Sequence, residues 1–180
     1  SNINLLLYSV FRVGSPTRNI KYERYEEFLS DENIKWSVPI SLGDSHRGFR
    51  VVGTVPDYFE KIKFGKERDL SFTSGQSFAE PFDLVLGSEV SSALGYKIGD
   101  QITLSHGISK SSFLEHKKFP FSVTGILKAT GTPIDRALYV GLPGLELIHM
   151  HPNQVTKSMN DLDQGVPIKI DEITAVMLGL

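Results

Sequence analysis

Residues 83–104 read DLVLGSEVSSALGYKIGDQITL, and this stretch decides the class of fold. Its first four residues are mostly apolar and predict a short strand. The next segment, 88–94, predicts a short helix that Ser88 can cap and that Gly95 can end in the left-handed conformation. Gly99-Asp100 then predicts a turn, after which polar and apolar residues alternate as in a strand. The stretch therefore predicts short elements joined by tight turns.

Two further elements are predicted toward the start of the chain. Residues 3–13, INLLLYSVFRV, are rich in apolar and aromatic side chains and predict a buried strand. Residues 22–29 place tyrosines, a phenylalanine and a leucine at helical spacing, with glutamates between them. We expect this short helix to pack one face against a sheet.

A hairpin is predicted over residues 34–55. Residues 34–42 and 49–55 read as strands, and Gly43-Asp44-Ser45 is the expected turn between them. Pro39 lies inside the first strand and favours an edge or an irregular position there, because proline has no N–H to donate.

The last third of the chain also predicts short strands and a short helix. Strands are predicted over 119–127 and 137–140, and a short helix over 143–150 begins with a proline suited to its first turn. Residues 151–167 are polar and bounded by proline and glycine, which predicts a linker. Residues 173–178 predict a last strand.

Composition excludes several classes of protein. The chain has 180 residues, of which 40% are hydrophobic and 22% charged, so a buried core is available. The formal net charge of −2 lacks the basic excess of a nucleic-acid-binding protein. Cysteine is absent, which removes disulfides, thiolate nucleophiles and cysteine-based zinc sites. No apolar run approaches the roughly 18 residues that cross a membrane.

The order of these elements predicts an α+β fold with more strand than helix. An α/β part formed by residues 1–55 is rejoined by residues 168–180 at the end of the chain. A β-rich part, residues 56–150, lies between them, and 151–167 is the linker. The β-rich part has a length typical of a small domain.

The residues give little sign of catalysis or metal binding. The nucleophile-elbow, zinc-protease and nucleotide-binding motifs are all absent. His149 and His151 should point apart, because one ends a predicted helix and the other precedes a proline. His106 and His116 lie in a polar loop and can join a zinc site, although exposed loop histidines are the favoured interpretation. We therefore predict no catalytic, cofactor-binding or metal-ligating residues.

Two other groups of residues also favour structural roles. Asp135-Arg136 can form an acid–arginine clamp, but we expect Asp135 to organise its loop and Arg136 to pair on the surface. The aromatic pairs Phe119/Phe121 and Phe72/Phe78 can form a binding patch, and core packing is the favoured alternative.

A series of motifs in the middle and late segments resembles the extracytoplasmic domain of MacB/FtsX-type ABC transporter permeases, the MacB-like periplasmic core domain. The order and spacing of the motifs carry the resemblance, which covers roughly residues 57–142. Gln76 stands where arginine is common in the family, and Gly141 where proline is usual. The motifs are DYF at 57–59, GQSF at 75–78, LVLGS at 84–88, LGYKIGDQI at 94–102, FSVTGIL at 121–127 and ALYVGL at 137–142.

This resemblance implies a porter-like α/β subdomain with an inserted β-rich, sabre-like subdomain, which matches the division above. It implies a non-catalytic domain without a cofactor, on the extracytoplasmic face of the inner membrane. It also implies four kinds of partner: the permease's own transmembrane helices, a second permease copy or paralogue, a cytoplasmic ATP-binding subunit or domain, and an extracytoplasmic partner protein or lipid-like substrate. Motions driven by ATP would be relayed to that last partner.

The alternative is a freestanding extracytoplasmic binding module or small hydrolase. Flanking hydrophobic spans in the gene favour the transporter, and a cleavable signal peptide alone favours the alternative. A porter-like subdomain needs a second helix to cover its sheet. We therefore expect the natural chain to continue past Leu180 with an amphipathic helix, a return strand and a membrane span, and to carry another span before Ile3.

Overall fold

The computed structural model describes residues 19–106 and 119–179. Its helices are short, and strands dominate, which confirms the predicted α+β class. The helices are α1 (Tyr22–Phe28), α2 (Tyr58–Lys61), α3 (Ser88–Leu94), a 3₁₀ turn (Pro133–Arg136), α4 (Leu142–His149) and α5 (Pro152–Asp163). The strands are β1 (Ile20–Lys21), β2 (Trp36–His46), β3 (Phe49–Thr54), β4 (Lys63–Phe64), β5 (Arg68–Asp69), β6 (Phe72–Gly75), β7 (Asp83–Leu86), β8 (Gln101–Ile102), β9 (Ser105–His106), β10 (Phe121–Leu127), β11 (Ala137–Gly141), β12 (Glu172–Ile173) and β13 (Ala175–Gly179).

A mixed sheet organises the described residues. Seven of its strands follow the order β13-β2-β3-β11-β7-β10-β6, with β8 added beside β10 and β9 beside β2. The pairs β3–β11 and β7–β10 are parallel, and the other pairs are antiparallel. Two small sheets, β1–β12 and β4–β5, complete the described strands.

Both faces of this sheet are covered by apolar packing, and β11 shows it best because all five of its residues are buried. Successive side chains of a strand point to opposite faces. Ala137 and Tyr139 accordingly belong to one core cluster, which includes α2. Leu138 and Val140 belong to the other, which includes residues of α3 and α4. Strand β11 therefore joins two hydrophobic cores.

The stretch 83–104 forms the predicted strand, helix and turn, with one correction at the helix start. Gly87 occupies the N-cap position, so the prediction that Ser88 caps the helix is wrong. Gly95 ends the helix with a φ of 73°, the left-handed conformation expected of it. Asp100 closes the following turn by accepting a hydrogen bond from the Lys97 N–H at 2.8 Å.

The predicted hairpin is confirmed as β2–β3, but its turn lies elsewhere. The predicted turn residues 43–45 belong to β2, where the register shifts at a bulge. The chain reverses at Arg47-Gly48, and both residues have positive φ, as a two-residue hairpin loop requires. Pro39 pairs in regular register with β13, in a part of β2 that precedes its pairing with β3, so of the two predicted alternatives the edge position fits.

The segment 151–167, predicted as a linker, contains the 12-residue helix α5. A capping box starts this helix, with His151 at the N-cap and Gln154 three residues later. Sequence reading missed it because its many polar residues, bounded by proline and glycine, favoured a linker, although Val155, Met159 and Leu162 recur at helical spacing.

The ends of the predicted α/β part are only partly described. The predicted strand 3–13 lies outside the described residues. The predicted last strand is present as β12 and β13, interrupted at Thr174, whose N–H donates to the Ile40 carbonyl at 2.8 Å. The division at residues 55 and 150 stays a prediction, and β3 pairs with β11 across it within one sheet.

Candidate functional site

Helix α4 contributes two polar side chains to a cavity in the described part of the chain. Pro143 lies in its first turn, and Leu145 and Ile148 are buried against the sheet. Glu146 and His149 are three residues apart and therefore lie on one face of the helix, beside these apolar residues. This amphipathic pattern presents a carboxylate and an imidazole to the cavity.

We call this cavity the polar cleft. It has two lobes of about 370 Å³ and 560 Å³. Glu146, His149 and Asp171 line both lobes. The first lobe is also lined by residues of β1, β2 and β12, and the second by residues of α5. The other charged side chains along its walls are Lys21, Lys157, Asp161 and Glu172.

The His149 ring contacts the Asp44 carboxylate, with Nε2 lying 3.2 Å from the Asp44 Oδ2. Asp44 lies at the β2 bulge, and its side chain is only 4% exposed. The contact links the end of α4 to the bulge of β2.

Burial raises the pKa of Glu146 above its ordinary value, and the hydrogen bond from the Asp171 N–H opposes that shift. The N–H lies 3.3 Å from the Glu146 Oε1. The residue before β12 is thus linked to the middle of α4.

Charged and polar side chains of β1 and β12, and of the residue before β1, line the opposite wall of the polar cleft. Lys21 of β1 lies 2.6 Å from the Glu172 carboxylate of β12, and the Asn19 amide donates to the same carboxylate at 2.9 Å. The hydrogen bond between Lys21 and Glu172 raises the pKa of the lysine and lowers the pKa of the glutamate. The pair is exposed, so its contribution to stability is small.

These contacts show what the polar cleft can do. Its polar side chains bind one another across β1, β2, β12 and α4, which joins the ends of the described chain to the sheet. Within residues 19–106 and 119–179, no group of three or more histidine or acidic side chains is arranged to hold a metal ion. The geometry is that of a polar junction between elements.

The histidines that the sequence singled out are placed as follows. His149 contacts Asp44, whereas His151 accepts a hydrogen bond from the Asn153 N–H and caps α5, so the two rings do point apart. His106 lies in β9, where its backbone pairs with that of Asp44 in β2. His116 lies outside the described residues.

A histidine that sequence reading did not single out, His46, is buried at the end of β2. Its Nδ1 lies 2.9 Å from the Thr103 carbonyl, and its Nε2 lies 2.8 Å from the Tyr96 hydroxyl. Burial lowers the pKa of His46, which favours the neutral ring. This ring therefore connects the hairpin to the segment that follows α3.

The structural roles expected of Asp135 and Arg136 are confirmed. The Asp135 carboxylate accepts hydrogen bonds from the Thr130 N–H at 2.9 Å and the Gly131 N–H at 2.7 Å, which organises the loop before β11. Arg136 pairs with Glu89 at 2.8 Å on the surface.

The aromatic pairs also pack inside the molecule. Phe72 and Phe78 both contact the ring of Phe59, and Phe119 and Phe121 both contact the ring of Phe82. Phe78 and Phe121 are buried, which confirms core packing for them.

A smaller groove with mainly apolar walls lies at the other end of α4. Its volume is about 350 Å³, and its walls come from the end of β3, the loop before β7, the start of α4 and the side chain of Leu162 from α5. It contains no cluster of titratable groups, so it offers shape and apolar surface only.

The polar cleft was not foreseen from the sequence. Asp44 and His149 are separated by most of the chain, and no local spacing connects them. Glu146 has the ordinary pattern of an exposed helical glutamate. The one available signal was the placement of His149 at a helix end, which does not identify its partner.

The family of the fold is indicated by comparison with known proteins. The model of the MacB-like periplasmic core domain matches residues 3–172. No curated protein sequence matches the chain significantly.

Two solved structures resemble it in fold. One is the periplasmic region of MacB from Actinobacillus actinomycetemcomitans, with a TM-score of 0.52, 16% identity, and coverage of 93% of this chain and 82% of that one. The other is the extracellular domain of the noncanonic ABC-type transporter YknZ from Gram-positive bacteria. Its TM-score is 0.50 and its identity 13%, and the match covers 95% of this chain and 77% of that one.

None of the helices in the described part of the chain has the length and apolar character needed to cross a membrane.

Proposed function

The chain belongs to the family of MacB-like periplasmic core domains, and on that premise we propose that it is the non-catalytic extracytoplasmic domain of an ABC transporter permease. The observation that carries the proposal is the family match over residues 3–172, which spans nearly the whole chain. The similar fold of the MacB and YknZ domains supports it.

In this proposal the domain stands on the extracytoplasmic face of the inner membrane. Its partners are the transmembrane helices of its own permease, a second permease copy or paralogue, and a cytoplasmic ATP-binding subunit or domain. Closure of the ATP-binding part moves the helices, and the domain transmits that motion to a partner protein or a lipid-like substrate outside the membrane.

The structure supports a mechanical role in two ways. Tyr139 and Leu138 of β11 belong to opposite core clusters, so a displacement at one face of the sheet reaches the other through packed side chains. The polar cleft joins β1 and β12, near the two ends of the described chain, to α4 and the sheet through named polar contacts. These links provide a path between the membrane-connected ends and the rest of the domain.

The proposal is tested by measuring whether the domain moves with ATP. Lys66 lies in the exposed loop between β4 and β5 and is a suitable place for a cysteine, because the chain has none of its own. A spin label at Lys66→Cys on each permease of the reconstituted transporter reports the distance between the two domains.

We expect this distance to differ between the nucleotide-free and the ATP-bound transporter. A matched sample with a hydrolysis-deficient ATP-binding subunit should remain in the ATP-bound distribution. Distances that stay the same in every nucleotide state would contradict the transmission role.

A further inference from the structure

Helix α5 is attached to the rest of the molecule by few apolar contacts. It packs mainly on α4, and Val155 is its one buried side chain. Val155, Met159 and Leu162 lie on one face of the helix, but none of them belongs to the three core clusters of the described residues. A helix of this length is marginal in water by itself, so α5 depends on these few contacts.

Polar contacts add little to the attachment of α5. Within residues 19–106 and 119–179, its side chains form hydrogen bonds only to the two residues that precede it. Gln154 accepts from the His151 N–H, and the Ser158 hydroxyl donates to the Met150 sulfur at 3.6 Å. The ion pairs between described residues do not include any residue of α5.

Helix α3 is shorter and is nevertheless attached more firmly. Its Val90 is completely buried and belongs to the core cluster that also contains residues of α4. The Ser91 hydroxyl donates to the Tyr96 carbonyl at 2.9 Å, and Glu89 pairs with Arg136. The two helices therefore differ in how they are joined to the core, and the longer one has fewer links.

Cavities lie beside both ends of α5. Residues of its first three turns line the second lobe of the polar cleft, next to the end of α4. Leu162, near its last residue, lines the apolar groove at the start of α4. Helix α5 is thus a wall of both cavities, and its movement away from α4 would open both to solvent.

The chain on each side of α5 can act as a hinge. Met150 and His151 are extended, and the residues that follow the helix, 163–167, are all exposed. Gly165 lies among them in the left-handed conformation, with a φ of 84°. Rotation at these two places moves α5 without displacing α4 or β12.

We propose that α5 is a displaceable strap, a helix that opens away from α4 as a unit while the sheet and its core clusters stay folded. Opening removes the contacts of Val155, Met159 and Leu162 and leaves the core clusters intact, so it requires less free energy than unfolding of the whole domain. Since α5 connects α4 to β12 in the chain, opening also lengthens that connection. The inference goes beyond the proposed function, because it makes no use of the transport cycle.

The test measures how fast a buried cysteine is labelled by a maleimide in the native full-length protein, with any cysteine outside these 180 residues replaced by serine. The 180 residues contain none. Val155→Cys places the thiol on α5, and Val90→Cys is the matched control on α3. Both valines are buried, so a thiol at either position reacts only when its surroundings open. Thr156→Cys, at an exposed position of α5, gives the rate of an unprotected thiol.

We expect Val155→Cys to be labelled at least about tenfold faster than Val90→Cys, because a local opening is more frequent than unfolding of the domain. Urea below the unfolding transition should speed the labelling of Val90→Cys more than that of Val155→Cys, since a local opening exposes less surface. Equal rates with equal dependence on urea would overturn the proposal.

A second substitution separates loosening of α5 from loosening of the core. Leu162→Ala should speed the labelling of Val155→Cys severalfold and leave that of Val90→Cys unchanged. Leu94→Ala is the matched control, because Leu94 is a partly buried leucine at the end of α3 that packs against the core. It should speed the labelling of Val90→Cys. If Leu162→Ala speeds both labelling reactions equally, α5 unfolds together with the core and the proposal is wrong.

Hydrogen exchange of the unchanged protein excludes an effect of the cysteine itself. The amides of residues 156–163 should exchange faster than those of β11, whose five residues are all buried. Protection of α5 equal to that of β11 would also overturn the proposal.

Discussion

Gly95 illustrates how one residue can determine a turn through its backbone alone. It ends α3 with a φ of 73°, and an added Cβ would meet no atom within 4 Å. Any cost of substitution therefore comes from the left-handed backbone conformation. We expect Gly95→Val to lower the free energy of unfolding by about 1 kcal/mol or more, measured by urea denaturation. Gly95→Asn should cost less, since asparagine tolerates this conformation. An unchanged midpoint in the valine variant would contradict the assignment.

His46 gives a pH dependence whose sign follows from its pKa. Burial lowers the folded-state pKa of His46, whereas the unfolded ring has an ordinary pKa of about 6.5. Between these two values the unfolded chain binds more protons. The stabilisation by neutral His46 is thus complete above pH 6.5 or so and is lost as pH falls toward the folded-state pKa.

We predict that the free energy of unfolding falls less between about pH 7.5 and 5 in His46→Phe than in the unchanged chain. Because the two chains share all other titrating groups, the difference between their pH dependences reports the contribution of His46. His151→Gln is the matched control, because His151 is an exposed capping residue, and its pH dependence should resemble that of the unchanged chain. The prediction is contradicted if the free energy of unfolding of His46→Phe depends on pH as strongly as that of the unchanged chain.

At the scale of elements, helix α4 packs against the loop that precedes β7 through Gly144, a position that has no room for a side chain. A Cβ on Gly144 would lie 1.8 Å from the Pro81 carbonyl oxygen, which is backbone and cannot rotate away. Alanine normally stabilises a helix relative to glycine by about 1 kcal/mol. Here we expect the opposite sign: Gly144→Ala should destabilise the chain by about 1–3 kcal/mol in chemical denaturation.

Thr156→Ala supplies the control for this prediction, since Thr156 is an exposed residue inside α5. That variant should be neutral or slightly stabilising. A Gly144→Ala variant as stable as the unchanged chain would show that α4 can shift away from the Pro81 loop without cost.

Elements whose signals are local were predictable from the sequence. The helix that ends at Gly95 and the strand that becomes β11 were both placed within a residue or two, because a turn glycine and a buried apolar run act over short distances. Helix α5 was missed because its polar residues between Pro152 and Gly165 favoured a linker, although Val155, Met159 and Leu162 recur at helical spacing. The hairpin turn was displaced because Arg47 adopts a positive φ that arginine seldom signals.

At the scale of the whole molecule, the arrangement of the sheet and of the polar cleft was beyond local reading. The parallel pairing of β3 with β11 joins segments more than eighty residues apart. The Asp44–His149 contact depends on that pairing, since α4 follows β11 directly and Asp44 precedes β3. The absence of catalytic residues and the subdomain boundaries stay predictions, whereas the family is shown by the match over residues 3–172.

The central claim, that this domain lies outside the membrane as part of a permease, is tested most directly by its accessibility in intact cells. The full-length protein would carry one cysteine, Lys128→Cys, at an exposed position after β10. Val38→Cys is the matched control, because Val38 is completely buried.

The measurement is labelling by a membrane-impermeant maleimide, with the outer membrane permeabilised where there is one. The account predicts that Lys128→Cys in the membrane fraction is labelled in intact cells and that Val38→Cys is labelled only after denaturation. Labelling of Lys128→Cys only after the cells are lysed would place the domain in the cytoplasm and would contradict the account.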